Sequence, residues 1–293
     1  MLTLPSWDDA RVVVEPPAGG PGSWAGAPSA LRVGDEVYLA YRLRRPVDEG
    51  RGYANVVARS RDGVAFTTVA VVDRDRFGGA SLERPALAVT PEGRWRLYVS
   101  VATPGTKHWR VDLLEAGDPG ELGEAPARTV LPGDATAGVK DPVLHFDGRR
   151  WHLWASVHPL ESDEHADRMS TWYAVSPDGV DWTWRGVALA PRPGAWDARG
   201  VRVSAVVPVD GGLASAYDGR ATAAENWEER TGTATAPLLA DGTFGPMTAS
   251  DAPPAQSPHA PHGLRYLTAV PGRIYYEGTR EDGAHELRTE VTA

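Results

Sequence analysis

Residues 141–154 read DPVLHFDGRRWHLW: an apolar segment after a proline, an Asp-Gly turn, and a second segment rich in aromatic residues. The same pattern occurs in residues 84–98, RPALAVTPEGRWRLY, and in residues 27–41, APSALRVGDEVYLAY. The three prolines stand at positions 28, 85 and 142, a spacing of 57 residues each time. Two apolar segments joined by a tight glycine turn predict a β-hairpin. The repeat therefore predicts hairpins that recur along the chain at a fixed interval.

Fainter copies of the pattern extend the repeat to the end of the chain. They lie at residues 204–217 and 264–276, which brings the number of hairpins to five. The segments between hairpins carry two further strands per repeat, for example residues 172–176 and 180–184 on either side of an Asp-Gly turn. Four strands per repeat is the content of a propeller blade. We predict an all-β, five-bladed β-propeller that occupies residues 1–293 as a single domain.

The two ends of the chain are expected to meet in the last blade. The fifth repeat contains only three strands, the last of them at residues 286–291, and a further strand is available at residues 11–15. Pairing these two segments completes the blade, closes the ring and removes two exposed sheet edges. A β-sandwich is the alternative for an all-β chain, but it leaves the period of 57 residues unexplained.

Composition and charge restrict the function classes. The sequence contains no cysteine, which excludes disulfides and thiol chemistry, and its formal charge of −9 argues against a nucleic-acid partner. The N-terminus lacks the basic and apolar regions of a signal peptide, and no apolar run is long enough to span a membrane. We therefore expect a cytoplasmic protein whose partner is a small molecule, not a nucleic acid or a membrane.

Propeller geometry predicts which residues meet at the central axis. In each blade the start of the first strand and the loop after the second strand lie on one face of the ring, so their side chains converge on one pocket. The predicted set comprises the carboxylates Glu83, Asp141, Asp218 and Glu277, the cations Arg84, Lys140, Arg199 and Arg220, and the rings of Trp24, His108, Trp109 and His158. Bare charges are costly to bury, so these groups either bind a ligand or pair with one another and fill the tunnel.

Residues 139–154 resemble the acidic strand of the five-bladed propeller glycosidases, which include the arabinanase/xylosidase, invertase/levanase and mannoside phosphorylase groups. Residues 35–42 are similar to their opening blade, residues 176–182 (SPDGVDW) to a turn common in them, and residues 274–278 to their closing blade. The resemblance covers nearly the whole chain as architecture, and as a catalytic motif it is specific only around Asp141. It implies an enzyme that acts on a glycosidic bond.

The chain departs from that pattern in its first blade. The arabinanase and invertase groups carry an Asp there that attacks the sugar or activates water, whereas Ala27 precedes Pro28 in this sequence. The chain is thus a divergent member. Glycoside hydrolysis usually needs two carboxyl groups roughly 5 to 10 Å apart, and Glu83 and Asp141, from neighbouring blades, are expected to meet that spacing. A phosphorylase needs only one positioned acid, since phosphate is the nucleophile, together with cations that hold it.

The first functional hypothesis is an intracellular glycoside hydrolase or phosphorylase. Asp141 would serve as base, nucleophile or transition-state orienter, Glu83 as proton donor and Asp218 as the reserve acid. The side chains expected to hold the sugar, or a phosphate on it, are Trp24, Arg84, Trp109, Lys140 and Arg220.

The second hypothesis is a non-hydrolytic propeller. It binds a sugar or an acidic metabolite, or catalyses a lyase or isomerase step, and Ala27 is the residue that favours it. No cofactor is predicted. His259 and His262 lack an acidic partner close in sequence, so no metal site is predicted, and an ion in the tunnel is left open. Residues 163–167 are expected to form an acidic loop that covers the pocket.

Overall fold

The structure is a computed structural model that describes residues 2–292, and within this range the chain is all-β, as predicted. The described residues form no α-helix, and no helix among them is long and apolar enough to cross a membrane. The strands are β1 (Arg11–Val14), β2 (Trp24–Val33), β3 (Glu36–Arg44), β4 (Gly52–Ser60), β5 (Thr67–Asp73), β6 (Leu82–Val89), β7 (Trp95–Ala102), β8 (Trp109–Ala116), β9 (Ala127–Leu131), β10 (Ala137–Phe146), β11 (Trp151–Pro159), β12 (Ser170–Ser176), β13 (Thr183–Leu189), β14 (Gly200–Val209), β15 (Gly212–Arg220), β16 (Arg230–Pro237), β17 (Thr248–Ala249), β18 (Leu264–Val270), β19 (Arg273–Thr279) and β20 (His285–Val291).

The strands pair in antiparallel sets of four. β6–β9, β10–β13 and β14–β17 are separate sheets, and β2–β5 form a set that joins β18–β20 through a single parallel pair, Trp24 with His285. β1 pairs antiparallel with β20, as the sequence predicts for these two segments. The hairpins predicted from the repeat are β2–β3, β6–β7, β10–β11, β14–β15 and β18–β19.

Apolar side chains fill the space between successive sets. Each cluster joins the strands of one set to those of the next, and burial of each large side chain contributes about 1.5–3 kcal/mol. Residues of neighbouring sets that belong to the same cluster include Val57 and Leu97, Val111 and Leu153, Trp154 and Val203, Ala216 and Leu267, and Leu39 and Tyr275.

Tyrosines of the repeated second strand tie one set to the next. The Tyr98 hydroxyl in β7 donates to the carbonyl of Gly179 (2.8 Å), and the Tyr275 hydroxyl in β19 donates to the carbonyl of Gly63 (2.9 Å). Both glycines have a positive φ, 75° and 72°, which L side chains rarely adopt. Each of these two Asp-Gly turns is thus bound by a tyrosine of another strand set.

Every first strand is interrupted near the axis. The register of β2, β6, β10, β14 and β18 shifts relative to the following strand, which is the mark of a β-bulge. Ala27, Asp141 and Tyr266 lie within these shifts and have φ values of 54°, 54° and 56°. A bulge redirects the side chains beside it, so the chemistry of the centre depends on what occupies these positions.

Glu290 in β20 holds the segment that precedes β1. Its Oε2 accepts from the backbone N–H and the hydroxyl of Ser6 (both 2.9 Å), and its Oε1 accepts from the N–H of Trp7 (3.0 Å) and the hydroxyl of Tyr276 (2.6 Å). Residues 6 and 7 are thereby fixed to the last strand of the chain.

We expect Glu290→Gln to reduce the free energy of unfolding by about 1–3 kcal/mol, because several donors lose a charged acceptor. Urea unfolding of the variant and of the matched exposed variant Glu281→Gln measures the effect. Limited proteolysis should also cut residues 2–10 faster in Glu290→Gln alone. Equal stability of the two variants would contradict this account of the N-terminal segment.

Candidate active site

A cavity of about 190 Å³ opens where the first strands meet. β6, β10, β14 and β18 place Glu83, Lys140, Arg202 and Arg265 with Tyr266 along its wall. Later strands and loops add Arg42, Arg51, Lys107, Trp109, His158, Asp163, Asp167, Arg220, Trp227 and Glu229. Of the residues predicted from sequence, the lining set thus contains Glu83, Trp109, Lys140, His158 and Arg220.

β2 contributes no charged group, and a carboxylate from the last hairpin fills its place. The N–H of Ala27 donates to Oε2 of Glu277 (2.8 Å), and a Cβ at Gly26 would overlap the Glu277 carboxyl group. Arg265 donates twice to Oε1 of Glu277 (2.9 and 2.8 Å), and Arg42 lies 3.3 Å from Oε2. Burial raises the pKa of Glu277, but Arg265 and Arg42 outweigh it and hold that pKa well below its usual range. Glu277 is therefore an ionised carboxylate that is tied into the wall.

Asp141 lies under the cavity and is wholly buried. Its Oδ1 accepts from the backbone N–H of Arg84 (3.2 Å), and its Oδ2 lies 3.6 Å from Lys140 Nζ, 3.4 Å from Arg202 Nη1 and 3.5 Å from the Tyr266 hydroxyl. Burial raises the pKa of Asp141, but Lys140 and Arg202 together outweigh burial and lower it. Asp141 acts on the cavity through Lys140, Arg202 and Tyr266, which all line it, and is thus a positioning residue for these groups.

Asp218 is also wholly buried behind the wall. Its Oδ2 accepts from Nε and Nη2 of Arg202 (3.1 and 3.0 Å), and its Oδ1 accepts from the Thr231 hydroxyl (3.0 Å). The backbone N–H of Tyr266 donates to both oxygens. Burial raises the pKa of Asp218, and Arg202 offsets this only in part. Asp218 fixes Arg202 and Tyr266 and has no oxygen left for a ligand.

The sequence predicts three catalytic carboxylates, and of these three Glu83 alone lines the cavity. It forms an ion pair with Nη1 of Arg42, and its Oε1 lies 3.7 Å from Nη1 of Arg44. Both arginines are almost completely buried. Two neighbouring guanidinium groups stabilise the ionised form of a carboxyl group, so the geometry favours Glu83 as a carboxylate over Glu83 as a proton donor.

Tyr266 forms the floor. Its ring lies 3.7 Å from the guanidinium carbon of Arg202 and 5.3 Å from that of Arg265, distances at which the ring face stabilises a cation. Arg84 lies on the far side of the ring, 5.9 Å from its centroid. It lines a separate cavity of about 300 Å³ and donates to the carbonyl of Ser204 (2.6 Å). Arg84 was predicted to hold the substrate, and it lies in the other cavity.

Lys140 and His158 face the cavity together. The Lys140 ammonium lies 4.7 Å from the Trp109 ring centroid, and burial lowers its pKa to about 8. His158 Nδ1 donates to the carbonyl of Ala166 (2.6 Å), and burial, with Lys140 adding to it, lowers its pKa to about 3. Among the described residues, Nε2 of His158 has no hydrogen-bond partner. An amine that titrates near neutral pH thus shares the cavity with a neutral imidazole whose acceptor nitrogen is free.

Two predicted binding residues lie away from the cavity wall. Trp24 is buried behind it, with its ring 4.1 Å from the guanidinium carbon of Arg44. His108 lies beside its own loop, where Nδ1 is 2.9 Å from the Thr103 hydroxyl. Neither ring is part of the surface that a ligand would meet in this cavity.

The acidic loop of residues 163–167 borders the cavity, as expected for a segment that covers it. Asp163 and Asp167 line the opening. Arg199 holds the loop through two hydrogen bonds to Asp167 (2.9 and 2.8 Å), and Arg220 donates to the carbonyl of Asp167 (2.7 Å). Arg199 was predicted to contact the substrate, and its observed partner is the loop.

Sequence reasoning did not place Tyr266 or Glu229 in the site. Tyr266 follows Arg265 in the fifth repeat as Asp141 follows Lys140 in the third. Aligning these two repeats residue by residue would have indicated Tyr266 as a residue of the site. Glu229 precedes the third strand of its set and accepts from Arg265 (2.6 Å), a position that the hairpin repeat does not include. No sequence pattern identified it.

Histidines and carboxylates of the described residues form no group of three or more that is arranged to hold a metal ion. His262 Nδ1 donates to the carbonyl of Ser257 (2.9 Å), and His259 packs its ring against Trp7 at 5.9 Å. Both therefore have structural contacts.

No family model matches the sequence, and no curated protein matches it significantly. Solved structures match over nearly the whole chain at low identity. A thermostable family-43 glycoside hydrolase aligns with a TM-score of 0.69 at 13% identity, covering 94% of this chain and 91% of its own. The α-L-arabinofuranosidase from Lactobacillus brevis gives 0.68 at 15%, with 92% and 90% covered. The β-1,2-mannobiose phosphorylase from Listeria innocua gives 0.61 at 13%, with 99% and 92% covered.

The chain thus shares its fold with solved glycoside hydrolases and a phosphorylase, as the resemblance stated from the sequence implies. At 13–15% identity the likeness concerns the fold. Function has to be argued from the groups in the cavity.

We expect Lys140 to react with acetic anhydride with a midpoint near pH 8, because burial disfavours its charged form. The chain has only two lysines, so peptide mass spectrometry resolves the labelling of Lys140 cleanly. Labelling in urea is the control, since unfolding should return the midpoint to the ordinary 10.5. A native midpoint at 10.5 would show that the ammonium is well solvated.

His158 should make the protein sensitive to mild acid. Its pKa falls from 6.5 when unfolded to about 3 when folded, so below pH 6.5 the unfolded chain binds the proton and stability decreases. The loss attributable to His158 at pH 5 is about 2 kcal/mol. Urea unfolding at pH 7 and pH 5 should show a smaller loss for His158→Gln than for the wild type. Equal losses would mean that His158 stays hydrated.

Proposed function

We propose that the protein is a carbohydrate-active enzyme that binds a sugar in the central cavity and acts at its glycosidic bond. The observation that carries the proposal is the meeting of Glu83, Lys140 and His158 on one cavity wall in a fold shared with glycoside hydrolases and phosphorylases. Trp109 and Trp227 line the same cavity and supply aromatic faces suited to the apolar side of a sugar ring.

We further propose that the strand sets form a single-domain, five-bladed ring closed by β1. Five apolar clusters support this, since they join each set to the next and the last set back to the first. The antiparallel pairing of β1 with β20 gives the last blade its fourth strand. In such a ring the five first strands surround the axis, which accounts for the two cavities that these strands line.

The charges suggest how the roles are divided. Glu83, beside two guanidinium groups, suits an ionised base, nucleophile or stabiliser of positive charge that develops on the sugar. Lys140, with a pKa of about 8, is mostly protonated at pH 7 and can donate a proton to the leaving oxygen. Asp141 holds that ammonium group in place from below. His158 Nε2 is available to accept a hydrogen bond from a sugar hydroxyl or from water.

A non-hydrolytic role is the second candidate, and a specific observation favours it. Ala27 replaces the first-blade acid, and the carboxylate that takes its place, Glu277, is locked by Arg265 and Arg42. Asp141 and Asp218 are equally committed to cations. Because these deep carboxylates are all engaged, they do not form the pair of free acids that hydrolysis uses. The cavity therefore suits ligand binding, or a lyase or isomerase step that uses Lys140 and His158, better than hydrolysis.

The test is a product analysis with neutral and acidic disaccharides, with and without phosphate. We expect turnover of at least one substrate and a loss of kcat/KM of about 100-fold or more in Glu83→Gln, as for removal of a group that stabilises charge in the transition state. The control is Glu92→Gln, an exposed glutamate on a hairpin turn, which should retain wild-type activity.

Thermal unfolding shows whether Glu83→Gln is folded, which separates lost chemistry from lost structure. Sugar binding without any turnover favours the second candidate. A protein that neither binds nor converts any sugar refutes the proposed function.

A further inference from the structure

Part of the cavity wall carries cations that no carboxylate neutralises. Among the described residues, seven cationic side chains line the cavity, against four carboxylates. Asp141, Asp218 and Glu277, behind the wall, pair with three of these arginines. The remaining unpaired cations include Arg51 and Lys107, which form no ion pair within 4 Å in the described part of the chain. Low-dielectric walls concentrate the field of such charges and raise the concentration of counter-ions in the cleft, which points to an anionic ligand.

Several donors in the wall have no acceptor. Within residues 2–292, Nε of Arg42, Arg51 and Arg220 is buried without a hydrogen-bond partner. The Lys140 ammonium has no hydrogen bond there either, and its closest carboxylate oxygen, on Asp141, is 3.6 Å away. Unsatisfied buried donors cost free energy. The three Nε atoms have almost no accessible surface, so the donor of this group that a ligand in the cavity can reach is the Lys140 ammonium group.

The positions of the two lysines indicate where the negative charge of a ligand would bind. The chain has two lysines, Lys107 and Lys140, and both line this cavity. An ammonium group is a compact donor on a flexible stem, whereas a guanidinium group needs planar partners. Lys140 also lies 4.7 Å from the Trp109 ring centroid, so a cation and an aromatic face are adjacent. A sugar ring against Trp109 would bring a charged substituent to Lys140.

The state of the arginines favours a carboxylate over a phosphate. The terminal nitrogens of Arg220 and Arg265 already bind Glu229, and those of Arg202 lie at Asp141 and Asp218. No free fork therefore remains in these three side chains for the bidentate contacts that phosphate prefers. What remains among the described lining residues are two ammonium groups, Lys107 and Lys140, and the Arg51 guanidinium group, 5.9 Å from the Trp109 ring centroid. Two ammonium groups and one guanidinium group beside an aromatic ring match a carboxylate and the hydroxyls of a sugar ring.

We propose that the cavity binds a sugar that carries a carboxylate, a uronic acid residue, with the carboxylate at Lys140 and Lys107 and the ring against Trp109. This inference rests on the proposed function, since it names the substrate class of the same cavity. In this arrangement Lys140 and Lys107 select a charged sugar over a neutral one, and neutral His158 beside them contacts a hydroxyl group of the sugar.

Calorimetric titration with glucuronate and glucose, and with galacturonate and galactose, at constant ionic strength tests the proposal. We expect each acid to bind about tenfold or more tightly than its neutral counterpart, because one close charge pair has this effect. Lys140→Met should bring the two affinities of each pair together. Lys107→Gln, at an exposed position that cannot disturb the fold, should reduce the preference in part, and Arg149→Gln, on a distant turn, should leave it unchanged.

The pH dependence gives a second readout. Above pH 8 Lys140 loses its charge, so the wild-type preference for the acid should decline, while binding of the neutral sugar should not change. Equal binding of acid and neutral sugar overturns this inference and leaves the proposed function standing. Tighter binding of inorganic phosphate than of either uronate also overturns it. Absence of binding to all four sugars also overturns this inference, and the disaccharide product analysis then decides separately whether the proposed function stands.

Discussion

The pairing of buried charges at the axis is the constraint on which the rest of the centre depends. An ionised group removed from water is stable only if an opposite charge and hydrogen bonds replace the solvent. Arg202 meets this condition through Asp218 and Asp141, and Arg265 through Glu277 and Glu229. The contact of Arg202 with Asp141 joins two sheets, β14 to β10, and that of Arg265 with Glu229 joins β18 to the residue before β16. The contacts of Arg202 with Asp218 and of Arg265 with Glu277 each lie within one hairpin. The electrostatics of the centre therefore depend on the hairpins and on how the sheets are arranged around it.

The same pairing decides which groups are left for chemistry. Carboxylates such as Asp141 and Asp218, which the sequence presents as acids, are used to fix arginines and the Tyr266 floor. Groups with unused capacity are Lys140 and His158, whose ordinary charge states are perturbed by burial. Ala27 stands where a first-strand acid is expected, and Glu277 supplies a negative charge there from another strand. That carboxylate is already bound by Arg265, so it is not free for chemistry.

Much of the fold could be predicted because hairpins are local. Asp-Gly turns and the alternation on either side of them lie within about fifteen residues, and the spacing of 57 residues exposed their repetition. The candidate site could be predicted only in part. Glu83, Lys140 and Trp109 were found because they occupy the repeat positions at the axis. Arg84 and Trp24 occupy similar positions in the repeat, but Arg84 lines the other cavity and Trp24 packs against the Arg44 guanidinium group.

The sequence by itself determined the all-β class, the hairpins and some of the charged residues near the centre, among them Glu83 and Lys140, since these follow from patterns of neighbouring residues. Only the tertiary structure decided which charges neutralise one another and which face the cavity. Glu277 beside Ala27 and Asp141 beside Arg202 are separated by 250 and 61 residues. The free energy of a buried charge depends on partners brought together from across the chain, and no local pattern records that choice.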